Sequence, residues 1–437
     1  MQHELHWICC QIGAREHYSI PRALFRKEAL RLLITDAWGR QRRGQRSGVS
    51  GQRGRFAGRW HEDLRDAPVI SFNWSLIGFE VLARARGLTG WQKVMARNEW
   101  FQRKALRRLA SYRLSAVGSQ VIVFAYSYAA RDIFRFAKQR GWKTVLGQID
   151  PGPFEEEIVA KEVARVPELA PNWRRAPRQY WDNWREECEL ADRIVVNSEW
   201  ARTGLLEAGV NGEKLSVIPL AYQATEDRGQ MSEVRGQTTE DRGQRSEVRG
   251  GRQYPDGFDE QRPLRVLFLG QINLRKGVAR LFDAIRLLKD EPIEFQFVGP
   301  AQISIPDDIR SKPRVRWFGR VSRGETASFY RSADVLIFPT LSDGFGLTQL
   351  EAQAYGLPII ASRDCGDVVR DGVNGLRLPD LSGESIADAL QRCLCEPDRL
   401  RTFAENAIQS EKTGLNRLAE ALFELSEPRS HTVSIQE

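Results

Sequence analysis

Residues 333–379 read ADVLIFPTLSDGFGLTQLEAQAYGLPIIASRDCGDVVRDGVNGLRLP. An apolar run, Val335 to Pro339, breaks into the turn Ser342-Asp343-Gly344-Phe345-Gly346. A helix-forming run follows from Leu347 to Ala354, and Gly356 and Pro358 end it. A second apolar run covers Pro358 to Ala361. Strand, glycine turn, helix, strand is one βαβ unit. Its turn aims free backbone N–H groups and the positive end of a helix above the sheet, which suits a phosphate or a polyhydroxylated ligand. Asp343 in the turn and Glu351 about one helical turn into the helix are spaced so that both can face one cleft.

Outward from this unit, short apolar runs alternate with helical patterns in two halves. The first half has runs at Trp7–Ile12, Leu32–Ile34, Val69–Phe72, Val121–Tyr126, Thr144–Ile149, Ile194–Asn197 and Leu215–Pro219. The second has Leu264–Gly270, Glu294–Gly299, Val315–Gly319, Val335–Pro339 and Pro358–Ala361. Such alternation predicts two α/β domains with parallel sheets and ligands at the carboxyl ends of strands. The expected organisation is a first, acceptor-side domain over 1–222, a linker over 223–262, a second, nucleotide-binding domain over 263–415, and a C-terminal helix and tail over 416–437.

Two segments do not fit this pattern. Residues 39–59 hold seven arginines and no acid. Residues 225–252 repeat TEDRGQMSEVRGQT as TEDRGQRSEVRGGR, with no apolar face able to bury a core. Both read as inserted, disordered loops without a catalytic part. The 437-residue chain has a formal net charge of +8, and without the seven arginines of the first insert it is +1. The folded parts are therefore near neutral, and no specific nucleic-acid partner is expected. An apolar content of 41% is ample for buried cores. No run of about eighteen apolar residues would span a membrane. The start, Met1 to His6, lacks the basic segment of a secretory leader. The six cysteines form neither a disulfide framework nor a zinc pair, and with five histidines and no HxxxH spacing a protein-held metal is not expected. A cytoplasmic protein is the expectation.

The stretch Asp343-Gly344-Phe345-Gly346-Leu347-Thr348-Gln349-Leu350-Glu351-Ala352 resembles the donor site of retaining glycosyltransferases of family 4, which have the GT-B fold. That family carries Glu-Gly-Phe-Gly-Leu followed by Glu-Ala, with seven residues between the two acids. Asp343 stands where its first Glu is usual. Asp371-Gly372-Val373-Asn374-Gly375-Leu376 matches its Asp-Gly-x-x-Gly-Leu turn. After the strand at Leu264, Gly270-Gln271-Ile272-Asn273-Leu274-Arg275-Lys276-Gly277 is similar to its Gly-Arg-Leu-x-x-x-Lys-Gly loop, whose Arg and Lys hold the donor diphosphate. Lys276 matches, Gln271 replaces the Arg, and Arg275 is a candidate substitute.

The resemblance implies two Rossmann-like domains facing an interdomain cleft, and transfer of a sugar from a nucleotide-sugar with retention and no bound metal. The nucleotide-sugar is a substrate, so no cofactor is implied. Glu351 would accept the ribose hydroxyls and Asp343 a hydroxyl of the sugar, helped by N–H groups of Gly344, Phe345, Gly346 and Leu347. Thr348 would reach the phosphates, and Gly319 and Arg320 would border the base. In the first domain, Gly13 after the first strand and Asp150 at a strand end are candidates, and Asp150 reads equally as a turn residue. Asn197-Ser198-Glu199-Trp200 is similar to the family's Ser-Glu turn and reads as an N-cap. The acceptor is carbohydrate or lipid-linked. From Trp91 to Tyr112 apolar residues fall at helical spacing and six cations lie largely off that stripe, so a peripheral membrane contact stands beside plain packing. The alternatives are an inactive nucleotide-sugar-binding GT-B protein and a nucleotide-sugar epimerase.

Overall fold

A computed structural model of the chain describes residues 5–39, 59–112, 120–222, 252–409 and 414–426. The insert readings at 40–58 and 225–251 lie outside the described residues. The first sheet holds β1 (Leu5–Gln11), β2 (Leu30–Thr35), β3 (Val69–Ser71), β4 (Gln120–Tyr126), β5 (Lys143–Gln148), β6 (Arg193–Val196) and β7 (Leu215–Val217), in the order β3-β2-β1-β4-β5-β6-β7. The second holds β8 (Leu264–Leu269), β9 (Ile293–Val298), β10 (Val315–Gly319), β11 (Val335–Phe338), β12 (Ile359–Ala361) and β13 (Gly375–Arg377), in the order β10-β9-β8-β11-β12-β13. Every described strand pair is parallel. Strands buried on both faces need no alternation, which is why β1, β4 and β11 read as continuous apolar runs.

Both sheets reverse their winding once, between β1 and β4 and between β8 and β11. A crevice opens at each reversal, at the carboxyl ends of the strands. The loops after β8 and β11 are the two glycine-rich stretches singled out in the sequence. This is the two-Rossmann-domain GT-B architecture. β13 was not among the sequence-derived strands, because it has three residues and is held through its main chain. The Ile359 carbonyl lies 2.1 Å from where a Cβ on Gly375 would stand.

The last described helix packs on the first domain. In the helix Leu415–Glu424, Leu415, Leu418, Ala419 and Leu422 are buried with Ile20, Ala23 and Leu24 of the helix Ser19–Arg26. Each large side chain so buried contributes about 1.5–3 kcal/mol. The expected basic helix spans Gly90–Ala110, and Trp100, Phe101, Ala105 and Leu109 pack into the first-domain core. That half of its apolar stripe is structural.

Both inserts leave an anchored residue behind. Gly39 N–H donates to the Arg59 carbonyl at 3.2 Å, so the first excursion closes on itself. Arg59 pairs with the fully buried Asp36 at 2.8 Å, and Arg97 joins the same carboxylate at 2.6 Å. Arg252 donates to the carbonyls of Tyr330, Arg331 and Ala333 at the end of the helix Arg323–Ser332. Burial lowers its guanidinium from the ordinary arginine range. Arg252 thus belongs to the fold rather than to the repeat. Deleting 225–251 should leave Tm nearly unchanged, whereas Arg252→Ala should cost roughly 1–3 kcal/mol for the uncapped carbonyls. Calorimetry on both variants checks this, and a deletion that costs as much as Arg252→Ala would overturn it.

Candidate functional site

The site begins with two glycines. After β8, Gly277 has φ +70°, and a Cβ there would stand 1.8 Å from the Pro339 carbonyl beyond β11. Glycine alone lets these loops meet, and the contact sets Lys276 beside Asp343. Lys276 Nζ donates to Asp343 Oδ2 and lies 4.8 Å from the centre of the Phe338 ring. Arg275 approaches the same carboxylate at 3.8 Å and donates to the Ser342 carbonyl at 3.0 Å. Burial pushes the Asp343 carboxyl up, but Lys276, Arg275 and the Phe345 N–H outweigh it and hold it below the usual carboxylate range. It is ionised, and its cations surround it.

The second glycine faces the other domain. A Cβ on Gly344 would stand 2.0 Å from the Ile149 carbonyl at the end of β5. Ser198 Oγ donates to the Gly344 carbonyl and accepts the Ala201 N–H at 3.0 Å. It is therefore both the N-cap of the helix Glu199–Glu207 and a bond across the cleft. Trp200 Nε1 donates to Ser342 Oγ at 3.1 Å, and that hydroxyl donates to Glu155 at 2.9 Å. Glu155 lies 3.6 Å from Arg275. Burial raises the Glu155 carboxyl, Arg275 lowers it, Asp150 and Asp343 raise it again, and the balance is about 7.

The other predicted residues fall into separate places. Glu351, on the helix Leu347–Ala354, accepts a hydrogen bond from Tyr330 at 2.6 Å and lies 3.8 Å from His17 of the first domain. Phe345 is buried in the second-domain core, so only its backbone is available to a ligand. Gly346 has φ +86° and caps the helix, and Leu347 and Thr348 at the helix start are half-buried. Gln271 is exposed, as are Gly319 and Arg320 at the end of the edge strand β10. Gly13 has φ +84° and gives its N–H to Asp36 at 2.8 Å. Asp150 Oδ1 accepts from Tyr128, from Gln148 at 3.0 Å and from the Gly152 N–H at 2.9 Å, which is the turn role.

The sequence reading did not single out Glu155, Ser342, Trp200, His17 or Tyr330 as site residues. Glu155 and Trp200 had a faint signal, each lying just past a strand end. His17 had none. It sits in a run with Glu16 and Tyr18 at φ 49°, 53° and 61°, a left-handed path that three consecutive non-glycine residues rarely take.

Two Rossmann-like domains meeting at a basic, glycine-lined switch point define a GT-B scaffold. Residues 263–396, which span the second sheet, match the family model of glycosyl transferases group 1. The chain is 30% identical over 152 residues to an uncharacterised glycosyltransferase of Methanocaldococcus jannaschii, covering 33% of this chain and 42% of the relative. It is 33% identical over 124 residues to a D-inositol 3-phosphate glycosyltransferase of Streptomyces bingchenggensis, covering 28% and 26%. A 41.2 kDa protein of a Klebsiella pneumoniae cps region is 26% identical over 191 residues, 43% of this chain and 48% of that protein. The chain spans about half the length, or less, of these curated relatives. In fold it is similar to sucrose-phosphate synthase from Thermosynechococcus elongatus, with a TM-score of 0.63 at 16% identity over 96% of this chain and 98% of that one. It is also similar to Anabaena HepE in complex with UDP and glucose, with a TM-score of 0.58 at 15% identity over 96% and 98%.

The Glu155 carboxyl gives a pH test. Its folded pKa of about 7 lies above the ordinary 4.5, so the folded protein binds this proton more tightly than the unfolded chain. Its contribution to stability is full below the ordinary value and is lost as pH rises through the folded one. Glu187, also raised to about 7 by burial, acts in the same window. Glu155→Gln should therefore reduce, not abolish, the loss of stability across that window, by at most about 3 kcal/mol, read as a shallower fall in Tm. Parallel Tm–pH curves for variant and wild type would contradict this.

Proposed function

We propose that this protein is a retaining glycosyltransferase of family 4 that moves a sugar from a nucleotide-sugar to a carbohydrate or lipid-linked acceptor, in polysaccharide or glycolipid synthesis. The observation that carries the reading is the meeting of Lys276 and Asp343 at the second sheet's switch point, below the helix that bears Glu351. HepE's complexes with UDP and UDP-glucose support a uridine diphosphate donor. Lys276 has three N–H donors and Asp343 takes one, which leaves two for a diphosphate. Charge grows on that diphosphate as the glycosidic bond breaks, so the cation acts most strongly in the transition state. Asp343, held ionised, accepts a sugar hydroxyl, and Glu351 the ribose hydroxyls. No carboxylate is assigned as a nucleophile, so retention follows from a same-face displacement in which the acceptor enters beside the leaving phosphate. No cofactor takes part.

The reading fixes what each substitution does. Lys276→Ala should lower kcat by about thirty- to a thousandfold, a loss of roughly 2–4 kcal/mol, with a smaller effect on donor affinity. Glu351→Gln should mainly weaken nucleotide binding, and Asp343→Ala should damage sugar selection while UDP still binds. Transfer assays and calorimetric titration with UDP and its sugars measure all three. Wild-type rates and affinities in every variant would reduce the likeness to one of fold, and donor affinity without transfer would favour the inactive binding protein.

We also propose a cytoplasmic protein with a peripheral contact at the inner face of a membrane. The support moves from the helix Gly90–Ala110 to its neighbour, Asn73–Ala85, where Trp74 is 87% exposed, Val81 61% and Leu82 48%. These residues share one face, with Arg84 and Arg86 exposed beside them. Among the described residues no helix is long and apolar enough to cross a membrane. Anionic liposomes should sediment the protein, salt should release it, and Trp74→Glu should weaken the attachment at least severalfold. Equal sedimentation with neutral liposomes would remove the proposal.

A further inference from the structure

A cavity of about 750 Å³ lies between the domains, next to the Asp343 loop and joined to it through Arg275. One wall is aromatic, made by Trp91, Tyr128, Trp173, Tyr180 and Trp181. Tyr128 and Tyr180 stack at 4.9 Å and 15°, Trp91 leans on Tyr180 at 4.8 Å, and Trp181 meets Tyr180 edge-on at 5.1 Å. All five rings are half-buried. This wall is built at a cost. Tyr128 has φ +75°, an unfavourable conformation for a tyrosine, and is held there by its N–H bond to the buried Glu187 at 2.6 Å.

The opposite chemistry of the lining is acidic. Asp150, Glu155 and Glu156 face the cavity, and Arg275 is the one cationic side chain among its lining residues. That guanidinium is already shared between Glu155 at 3.6 Å and Asp343 at 3.8 Å. Asp150 Oδ2 takes no donor among the described residues, while its Oδ1 takes three. Flat rings suit the C–H faces of a pyranose, and carboxylates suit its hydroxyls. Asp150 and Glu156 repel a phosphate or a uronate in this partly desolvated space, and Glu155 adds to them as it ionises.

We infer that this cavity is the acceptor site and that it takes an uncharged sugar chain, excluding phosphorylated and acidic acceptors. The inference rests on the transferase reading and narrows it. It also separates this chain from the Streptomyces relative, whose name specifies a phosphorylated inositol.

Binding without a donor tests the cavity apart from the reaction. Tryptophan fluorescence and calorimetry would be followed with maltotriose, cellotriose and chitotriose as neutral probes, and with trigalacturonate and inositol 3-phosphate as anionic ones. At least one neutral trisaccharide should bind, with an affinity that salt leaves unchanged. Trp91→Ala and Trp181→Phe, each checked for an unchanged melting curve, should weaken it by about tenfold through loss of ring contact. Both anionic probes should bind at least about tenfold more weakly. Binding of neither neutral nor anionic probes, or preference for an anionic one, would overturn the inference. A parallel UDP titration keeps the outcomes distinct. Glycan binding without UDP binding removes the donor reading and leaves the cavity, and UDP binding without glycan binding does the reverse.

Discussion

The contact between Gly344 and the Ile149 carbonyl fixes the rest of this molecule. No side chain fits between them. The Asp343 loop of the second domain is thereby seated on the carboxyl end of the first sheet. Once it is seated, Ser198 reaches the Gly344 carbonyl, Trp200 reaches Ser342, and Glu155 reaches both Ser342 and Arg275. Further out, Arg280 pairs with Glu162 at 2.9 Å and Arg165 with Asp283 at 3.1 Å. The Ser304 N–H also donates to the Leu169 carbonyl at 2.8 Å. The interface is polar, which suits two domains that must admit a ligand between them.

Charge is divided unevenly across that interface. On the donor side Lys276 and Arg275 surround Asp343, so an ionised acid sits in a basic setting. On the cavity side Glu155 shares one of those cations with Asp343, and the nearby Asp150 charge raises its carboxyl. Buried ion pairs of this kind add little net stability, because desolvation offsets attraction. Their value lies in position. On the proposed reading, Lys276 offers its remaining N–H donors to a diphosphate on one side, and the cavity carboxylates offer acceptors to a hydroxylated chain on the other.

The chain's course serves the same end. The helix Leu415–Glu424 returns from the second domain to pack on the first, beside the helix that follows the β1 loop. That loop carries His17 toward Glu351. Two covalent passages between domains, rather than one, restrict how the halves can separate. The insert at 225–251 falls within one of them, and the residue that follows it, Arg252, is docked on the second domain.

What the sequence determined by itself was local. The alternation of apolar runs with helical patterns gave both parallel sheets, since strands buried on both faces show as unbroken apolar runs. The spacing from Asp343 to Glu351 and the loop ending in Lys276-Gly277 picked out the two loops that meet at the second sheet's switch point, because turn chemistry and helical pitch are properties of neighbouring residues. Only the tertiary structure decided what depends on residues far apart in the chain. Ser342 and Glu155 are 187 residues apart, and no periodicity joins them. The five-ring wall of the cavity draws on three separate stretches, and a lone Trp or Tyr in sequence looks the same in a core, at a surface or in a site. His17 carried no signal because its left-handed backbone is imposed by packing, against the preference of its own sequence.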